Sequence, residues 1–225
     1  MAVKRLLLVV GLMISSWIIA LSQDVSSYAQ RQLDSYFRGK GLKFDHHTIF
    51  VYDVNANQKL VYAITEMNMM QAEMNTPAHI SIFVFKKDGG KWIPVLKKFD
   101  YYQVGSFGQF GIAKDEIGVV PLKNGQFVFY YEQIKDTANG VSRAWLNIFG
   151  YKPANLYRTR IVIGETNESS PEAATNPDDY YYWDTESYNF QGTSLDNLYL
   201  VLKIKKQKGR SPETYETKRV KVKFE

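Results

Sequence analysis

The fold of this protein is decided by residues 79–98, which read HISIFVFKKDGGKWIPVLKK. Over His79–Lys86 the apolar residues alternate between two faces, which predicts a β-strand. Asp88-Gly89-Gly90 then predicts a tight turn, because glycine adopts positive φ without steric cost. The chain returns over Lys91–Lys98 as the antiparallel partner, and Pro94 inside this second strand predicts an edge strand or a bulge.

The same alternation recurs along the rest of the chain and predicts about eleven strands. A second hairpin joins Ile117–Leu122 to Gln126–Gln133 through Lys123-Asn124-Gly125, since Asn-Gly favours tight hairpin turns. No amphipathic helices alternate with the strands, which argues against a parallel α/β sheet. The other predicted strands are 48–54, 59–66, 142–149, 156–164, 180–190, 198–205 and 215–224.

One helix is predicted near the N-terminus, over Asp24–Phe37, where apolar residues recur at helical spacing. Gly39 and Gly41 end this helix, so residues 23–41 form a helical N-terminal segment. The predicted fold class is therefore mainly β: an antiparallel β-sandwich or barrel-like sheet with one short N-terminal helix.

Composition places the chain among folded globular proteins. Its 225 residues are 45% apolar, 23% charged and 15% aromatic, which excludes a disordered or low-complexity chain. The sequence contains no cysteine. This absence excludes a disulfide scaffold, a thiolate metal site and a cysteine nucleophile.

The first residues have the pattern of a secretory signal peptide. Lys4 and Arg5 precede an apolar run over residues 6–21, and small residues Ala20 and Ser22 precede a predicted cut before Gln23. Residues 1–22 are therefore predicted to be the signal, and residues 23–225 a single β-rich domain without a transmembrane span. The alternative is a retained anchor, although a span needs about 20 apolar residues. An exported, cysteine-free chain fits a bacterial periplasm or exterior.

The charge balance argues against nucleic-acid binding. The formal net charge is +5, and the predicted signal carries two of these charges. Nucleic-acid binding requires a concentrated basic face, and the basic residues cluster only near the C-terminus. There a single basic face is predicted, either solvated or a site for acidic glycans or anionic lipid headgroups; it comprises Lys203, Lys205, Lys206, Lys208, Lys218, Arg219, Lys221 and Lys223.

Known catalytic motifs are missing from the sequence. The chain lacks the Gly-x-Ser-x-Gly and His-Glu-x-x-His motifs. His46 and His47 are neighbours at the start of a strand, so they are expected to point to opposite faces and to be poorly placed for one metal ion. We predict no catalytic residue, no metal-binding residue and no cofactor.

Four methionines cluster within Met67–Met74. We interpret this segment as a packed cover of the sheet, because methionine fills irregular gaps well. Two other interpretations stay open: an adaptable surface for a partner, and thioether ligands for Cu(I).

A polar stretch over residues 166–179 is predicted to be a long exposed loop. It contains the glycosylation sequon Asn167-Glu168-Ser169, which we interpret as polar loop sequence.

The strand that follows this loop concentrates aromatic and acidic residues. Consecutive aromatic residues on a strand cannot all face one core, so some of them must face the second side of the sheet. Aromatic faces flanked by carboxylates suit sugars or a protein partner. We therefore predict a ligand-binding site formed by Tyr181, Tyr182, Trp183, Asp184 and Glu186.

These features together predict an exported, non-catalytic binding module for a glycan, a cell-envelope component or a protein partner. One alternative is a periplasmic or secreted hydrolase that acts on glycans through Asp and Glu. Another alternative is a small outer-membrane β-barrel, against which the lysine-rich last strand argues.

Overall fold

The computed structural model describes residues 24–68, 70, 72–136 and 140–225. The predicted signal peptide, residues 1–22, lies outside the described residues. The chain divides into two compact units, one ending at Gly111 and the other spanning Ile112–Glu225. Each unit is built on one antiparallel sheet, of four and seven strands respectively, so the predicted mainly-β antiparallel fold is confirmed. A single domain over residues 23–225 stays a prediction.

The predicted N-terminal helix and all of the predicted strands are present, with ends shifted by a few residues. The helices are α1 (Val25–Gly39) and the short α2 (Pro171–Thr175). Among the described residues, no helix combines the length and hydrophobicity needed to cross a lipid bilayer. The strands are β1 (His46–Asn55), β2 (Gln58–Glu66), β3 (Ala78–Asp88), β4 (Lys91–Val104), β5 (Gly118–Pro121), β6 (Phe127–Asp136), β7 (Ser142–Lys152), β8 (Asn155–Thr166), β9 (Tyr181–Gln191), β10 (Tyr199–Lys208) and β11 (Thr214–Lys221).

The first sheet has the strand order β1-β2-β3-β4, and each neighbouring pair is antiparallel. The β3–β4 hairpin turns at Gly89 and Gly90, whose φ angles of 51° and 82° favour glycine. Strand β4 is an edge strand, and the register shift between Val84 and Phe85 places Pro94 beside a bulge. Both expectations for Pro94 are therefore confirmed.

Helix α1 covers one face of the first sheet with an apolar stripe. Its N-cap is Asp24, whose side chain accepts a hydrogen bond from the Ser26 amide at 3.3 Å. The stripe recurs every four positions, as the helical period requires, and is buried: Val25, Ala29, Leu33 and Phe37. It packs on Val61, Ala63, Phe83 and Phe85 of the sheet. Burying one side chain such as Leu33 stabilises the fold by roughly 1.5–3 kcal/mol, so this stripe drives the docking of the helix.

The second sheet has the order β11-β10-β9-β8-β7-β6-β5 and divides at its centre. Strands β8 and β9 pair only through Gly164–Asp184, Glu165–Trp183 and Thr166–Tyr182. Beyond these pairs the two strands separate, which leaves β5–β8 as one half of the sheet and β9–β11 as the other.

Apolar side chains from the two halves of the second sheet meet in one core. The first half contributes Val128, Leu146, Ile148 and Ile163, and the second contributes Leu200, Leu202 and Ile204. The ring centroids of Tyr130 on β6 and Phe190 on β9 lie 4.9 Å apart. The second unit is therefore a β-sandwich made by one sheet that folds over itself.

The methionine cluster does not pack as the sequence predicts. The described residues 67, 68, 70 and 72–77 form turns and irregular loop rather than a helix. Met70 is 97% exposed and Met74 is 67% exposed, so the packing interpretation is wrong for both. Met69 lies outside the described residues. The partner and copper interpretations stay hypotheses.

His47 is buried between α1 and the first sheet. Its side chain is fully buried, whereas that of His46 is 54% exposed, so the two histidines point to opposite faces as predicted. His47 Nδ1 lies 2.7 Å from Thr65 Oγ1, and Nε2 lies 3.3 Å from a carboxylate oxygen of Asp34 on α1. Burial lowers the pKa of His47 below its usual value of 6.5, and Asp34 only partly opposes this effect.

We expect the stability of the protein to fall in mild acid because of His47. Below pH 6.5 the unfolded chain binds a proton at this residue before the folded chain does, so protonation favours unfolding. The urea midpoint of the wild type should decrease between about pH 7.5 and 5.5, and His47→Gln should reduce that decrease. His46→Gln, at the exposed neighbour, should retain it. An equal pH dependence in the wild type and His47→Gln would contradict this assignment.

Candidate functional site

The predicted aromatic segment begins strand β9, and the alternation of the strand separates its side chains onto two faces. In the β9–β10 ladder Trp183 is opposite Lys206 and Tyr181 is opposite Lys208. Residues directly opposite in an antiparallel pair share a face. Trp183 packs against the core of the second unit, so this inner face continues the core. Tyr182 alternates onto the outer face.

An open groove of about 460 Å³ lies on the inner face of β9, β10 and β11. This volume is within the roughly 300–1,000 Å³ typical of small-molecule sites. Ser211 and Pro212 line the groove at the turn between β10 and β11. Alternate strand positions supply its other main side chains, and we call it the lysine groove: Tyr181, Trp183, Ile204, Lys206, Lys208, Thr214, Glu216 and Lys218.

The lysine groove carries a surplus of positive charge. Lys206 Nζ lies 2.7 Å from Glu216 Oε2. This hydrogen bond, with a smaller contribution from the charge of Lys218, lowers the pKa of Glu216. Within the part of the chain that the structure describes, neither Lys208 nor Lys218 has a carboxylate within ion-pair distance. One carboxylate therefore faces three ammonium groups.

Tyr181 is held in place by an ion pair on the neighbouring strands. Its hydroxyl donates to Glu165 Oε1 at 2.9 Å, and Arg143 Nε donates to the other oxygen of the same carboxylate. Arg143 lowers the pKa of Glu165. Burial and the hydrogen bond to Glu165 raise the pKa of Tyr181, so its hydroxyl stays protonated and the ring is fixed at the edge of the groove.

On the outer face, Tyr182 and Asp184 have different surroundings. The Tyr182 hydroxyl donates to Glu213, which raises the pKa of Tyr182, and Lys205 Nζ lies 2.8 Å from the same glutamate. Asp184 lines a second groove of about 310 Å³ together with Gly164. Tyr182 and Trp183 line both grooves. The structure thus brings Tyr181, Tyr182 and Trp183 to the lysine groove and leaves Asp184 in the second groove.

Glu186 is the extra residue of a β-bulge. Thr185 pairs with Ile204 and Ser187 pairs with Lys203, so Glu186 has no partner residue across the ladder. Its side chain is exposed and lines neither groove. The structure does not bring this predicted site residue to the aromatic side chains. Among the described residues, no group of three or more acidic or histidine side chains is arranged to hold a metal ion.

Asn167 fixes the start of β9 and is a residue that sequence reasoning missed. Its Nδ2 donates to the Asp179 carbonyl at 2.8 Å, and its Oδ1 accepts from the Tyr181 amide at 2.7 Å. The prediction of an exposed loop is wrong at Asn167, which is buried. The residue is buried because its side-chain amide bridges the two ends of the loop. The loop also contains α2 and a 3-10 turn at Pro177–Asp179.

A close approach at Gly164 also supports this arrangement. A Cβ atom at Gly164 would lie 2.9 Å from Asp184 Oδ1 and 3.4 Å from the Trp183 carbonyl oxygen. Glycine therefore lets β8 and β9 pair side by side at the point where they begin to separate.

The single basic face predicted near the C-terminus is wrong. The register places Lys206, Lys208 and Lys218 on the inner face, in the lysine groove. The outer face carries Lys203, Lys205, Arg219 and Lys221. The sequence already contained the evidence against a single face. On a regular strand the odd positions 203 and 205 lie on the face opposite to the even positions 206 and 208.

No protein-family model matches this sequence, no curated protein matches it, and no solved structure matches its fold.

We expect Asn167→Ala to destabilise the second unit. The substitution removes two part-buried hydrogen bonds and leaves the Tyr181 amide and the Asp179 carbonyl without this partner. The free energy of unfolding should fall by roughly 1–3 kcal/mol, as measured by urea denaturation. The matched control is Asn189→Ala, which changes an exposed asparagine on β9 and should alter the free energy of unfolding little. Equal effects of the two substitutions would contradict the role given to Asn167.

Proposed function

We infer that this chain is an exported, non-catalytic binding module that holds a glycan of the cell envelope or its surroundings in the lysine groove. One observation carries this proposal: Tyr181 and Trp183 lie two residues apart on one face of β9 and line the same concave groove. Aromatic rings pack against the apolar faces of sugar rings, while polar side chains at the rim hydrogen-bond the hydroxyl groups.

The groove favours a glycan over a protein partner. Protein interfaces are built around a broad patch with a desolvated apolar centre. The lysine groove instead is concave, and polar side chains such as Thr214 and Glu216 on β11 line it together with the aromatic ones on β9. A protein partner remains the second ligand class of this proposal, and it fits the exposed Met70 and Met74 better than the groove.

The carboxylates around the segment favour binding over hydrolysis. A glycosidase needs a general acid whose pKa is raised towards neutrality, beside a second carboxylate. The pKa values of Glu165, Glu213 and Glu216 are all lowered, each chiefly by a hydrogen bond from a basic side chain. These groups stay ionised at neutral pH and suit a role in positioning neighbouring side chains.

Export is proposed from the sequence pattern of residues 1–22 together with the lack of cysteine. In a bacterial periplasm or exterior, glycans of the envelope are abundant ligands for a groove of this kind.

Binding to a panel of soluble oligosaccharides tests the proposal. The panel should contain neutral hexose, N-acetylhexosamine and uronic-acid oligomers, and isothermal titration calorimetry should measure each affinity. The wild type should bind at least one class, and Trp183→Ala should weaken that binding by about tenfold or more, because a central aromatic side chain carries much of the binding energy.

The matched control is Tyr215→Ala, which removes another aromatic side chain. Tyr215 is 63% exposed. It lies on β11, and its side chain does not line the lysine groove. Its replacement should leave binding unchanged. The proposal fails if the folded wild type binds no oligosaccharide of the panel, or if Trp183→Ala binds as tightly as the wild type.

A further inference from the structure

We propose that the lysine groove selects anionic glycans, whose carboxylate or sulfate groups are held by Lys206, Lys208 and Lys218 while a sugar ring lies on Trp183 and Tyr181. This inference rests on the proposed function and names its ligand class. The observation behind it is the placement of three ammonium groups and one carboxylate beside two aromatic rings in a single groove.

The register places the charges where a bound sugar presents its substituents. Lys206 is directly across the ladder from Trp183, and Lys208 is directly across from Tyr181. Each aromatic residue therefore has a lysine directly across the ladder on the same face. A carboxylate or sulfate attached to a sugar ring on either aromatic side chain lies within reach of the neighbouring lysine.

Two of the three groove lysines have no acidic partner among the described residues. Glu216 pairs with Lys206 across the β10–β11 ladder, which orients Lys206 and neutralises one charge. Lys208 and Lys218 have no carboxylate at ion-pair distance among the residues that the structure describes. On the outer face, by contrast, Lys205 is paired with Glu213 at 2.8 Å. An anionic ligand supplies the missing partners and relieves the repulsion between like charges.

The concave shape makes these charges effective. Trp183 and Ile204 form an apolar floor, and the lysines stand exposed at its rim. A cleft lined mainly by one sign of charge focuses its field. Hydrogen bonds between charged partners are also stronger than those between neutral ones.

A glycan fits the groove better than a lipid headgroup does. A planar membrane favours a flat basic face flanked by exposed apolar side chains. The lysine groove is concave, and the strongly exposed apolar side chains of the second unit, Ile134 and Tyr215, do not line it. The outer face carries a separate basic group that includes Lys203 and Arg219.

The test compares probes that share a sugar backbone and differ in charge. Isothermal titration calorimetry should measure binding of oligogalacturonate and its methyl ester, and of dextran sulfate and dextran. We expect an acidic probe to bind at least about tenfold more tightly than its neutral counterpart. The difference should shrink as the NaCl concentration is raised from about 50 to 500 mM, because salt screens exposed charges.

Matched variants assign the selectivity to the groove. Lys208→Gln combined with Lys218→Gln should weaken binding of the acidic probe by about tenfold or more and change binding of the neutral probe much less. The control combines Lys203→Gln with Lys98→Gln, which removes the same charge at exposed positions outside the groove. This control should bind the acidic probe as the wild type does.

The outcomes separate this inference from the proposed function. Equal binding of acidic and neutral probes, still dependent on Trp183, overturns the charge selection and leaves the proposed function standing. If the protein binds neutral oligosaccharides and no acidic probe, the charge selection is likewise overturned and the proposed function stands. If no oligosaccharide binds, both proposals fall. Binding only to vesicles that contain phosphatidylglycerol overturns the inference in favour of a lipid ligand.

Discussion

The short pairing between β8 and β9 is the constraint on which the rest of the second unit depends. Three residue pairs join the strands before they separate. If the pairing continued to the ends of both strands, the sheet would stay open and its two halves could not enclose Leu146, Ile148, Leu200 and Leu202 in one core. Because the strands separate directly after Asp184, the aromatic segment lies at the edge of that core. Its side chains are therefore half-buried and border a groove.

Polar contacts hold this junction in place. Asn167 binds the backbone at the start of β9, Glu165 binds the Tyr181 hydroxyl, and Arg143 neutralises that carboxylate. Gly164 permits the close approach of Asp184. A buried polar group that loses its partner costs roughly 1–3 kcal/mol, so the junction is specific as well as stable. The groove that follows from it is accordingly preorganised, which reduces the entropic cost of binding.

Much of the fold could be predicted from the sequence because it depends on local patterns. Alternation located the strands, Gly89 and Gly90 marked a turn, and helical spacing of Val25, Ala29, Leu33 and Phe37 marked α1. The position of the aromatic segment at the start of β9 was also predictable. The separation of β8 from β9 was not, because it depends on contacts between residues far apart in the chain.

The candidate site was less predictable, for a specific physical reason. Side-chain period in a strand is two, so one inserted residue reverses the faces on either side of it. The bulge at Glu186 is such an insertion, and no feature of the sequence distinguishes it from its neighbours. Before the bulge Tyr181 and Trp183 face inward, and after it Tyr188 and Phe190 do. Asn167 was missed because its role depends on two backbone groups at opposite ends of a loop.

The lysine groove exists because the register of β9, β10 and β11 places Trp183 and the groove lysines on one face. Cross-strand nuclear Overhauser effects between backbone protons of the purified protein measure this register directly. We expect contacts that pair Trp183 with Lys206 and Lys206 with Thr214. Contacts that pair Trp183 with Lys205 would shift the register by one residue and move Lys206 and Lys208 to the other face, which would contradict the proposed groove.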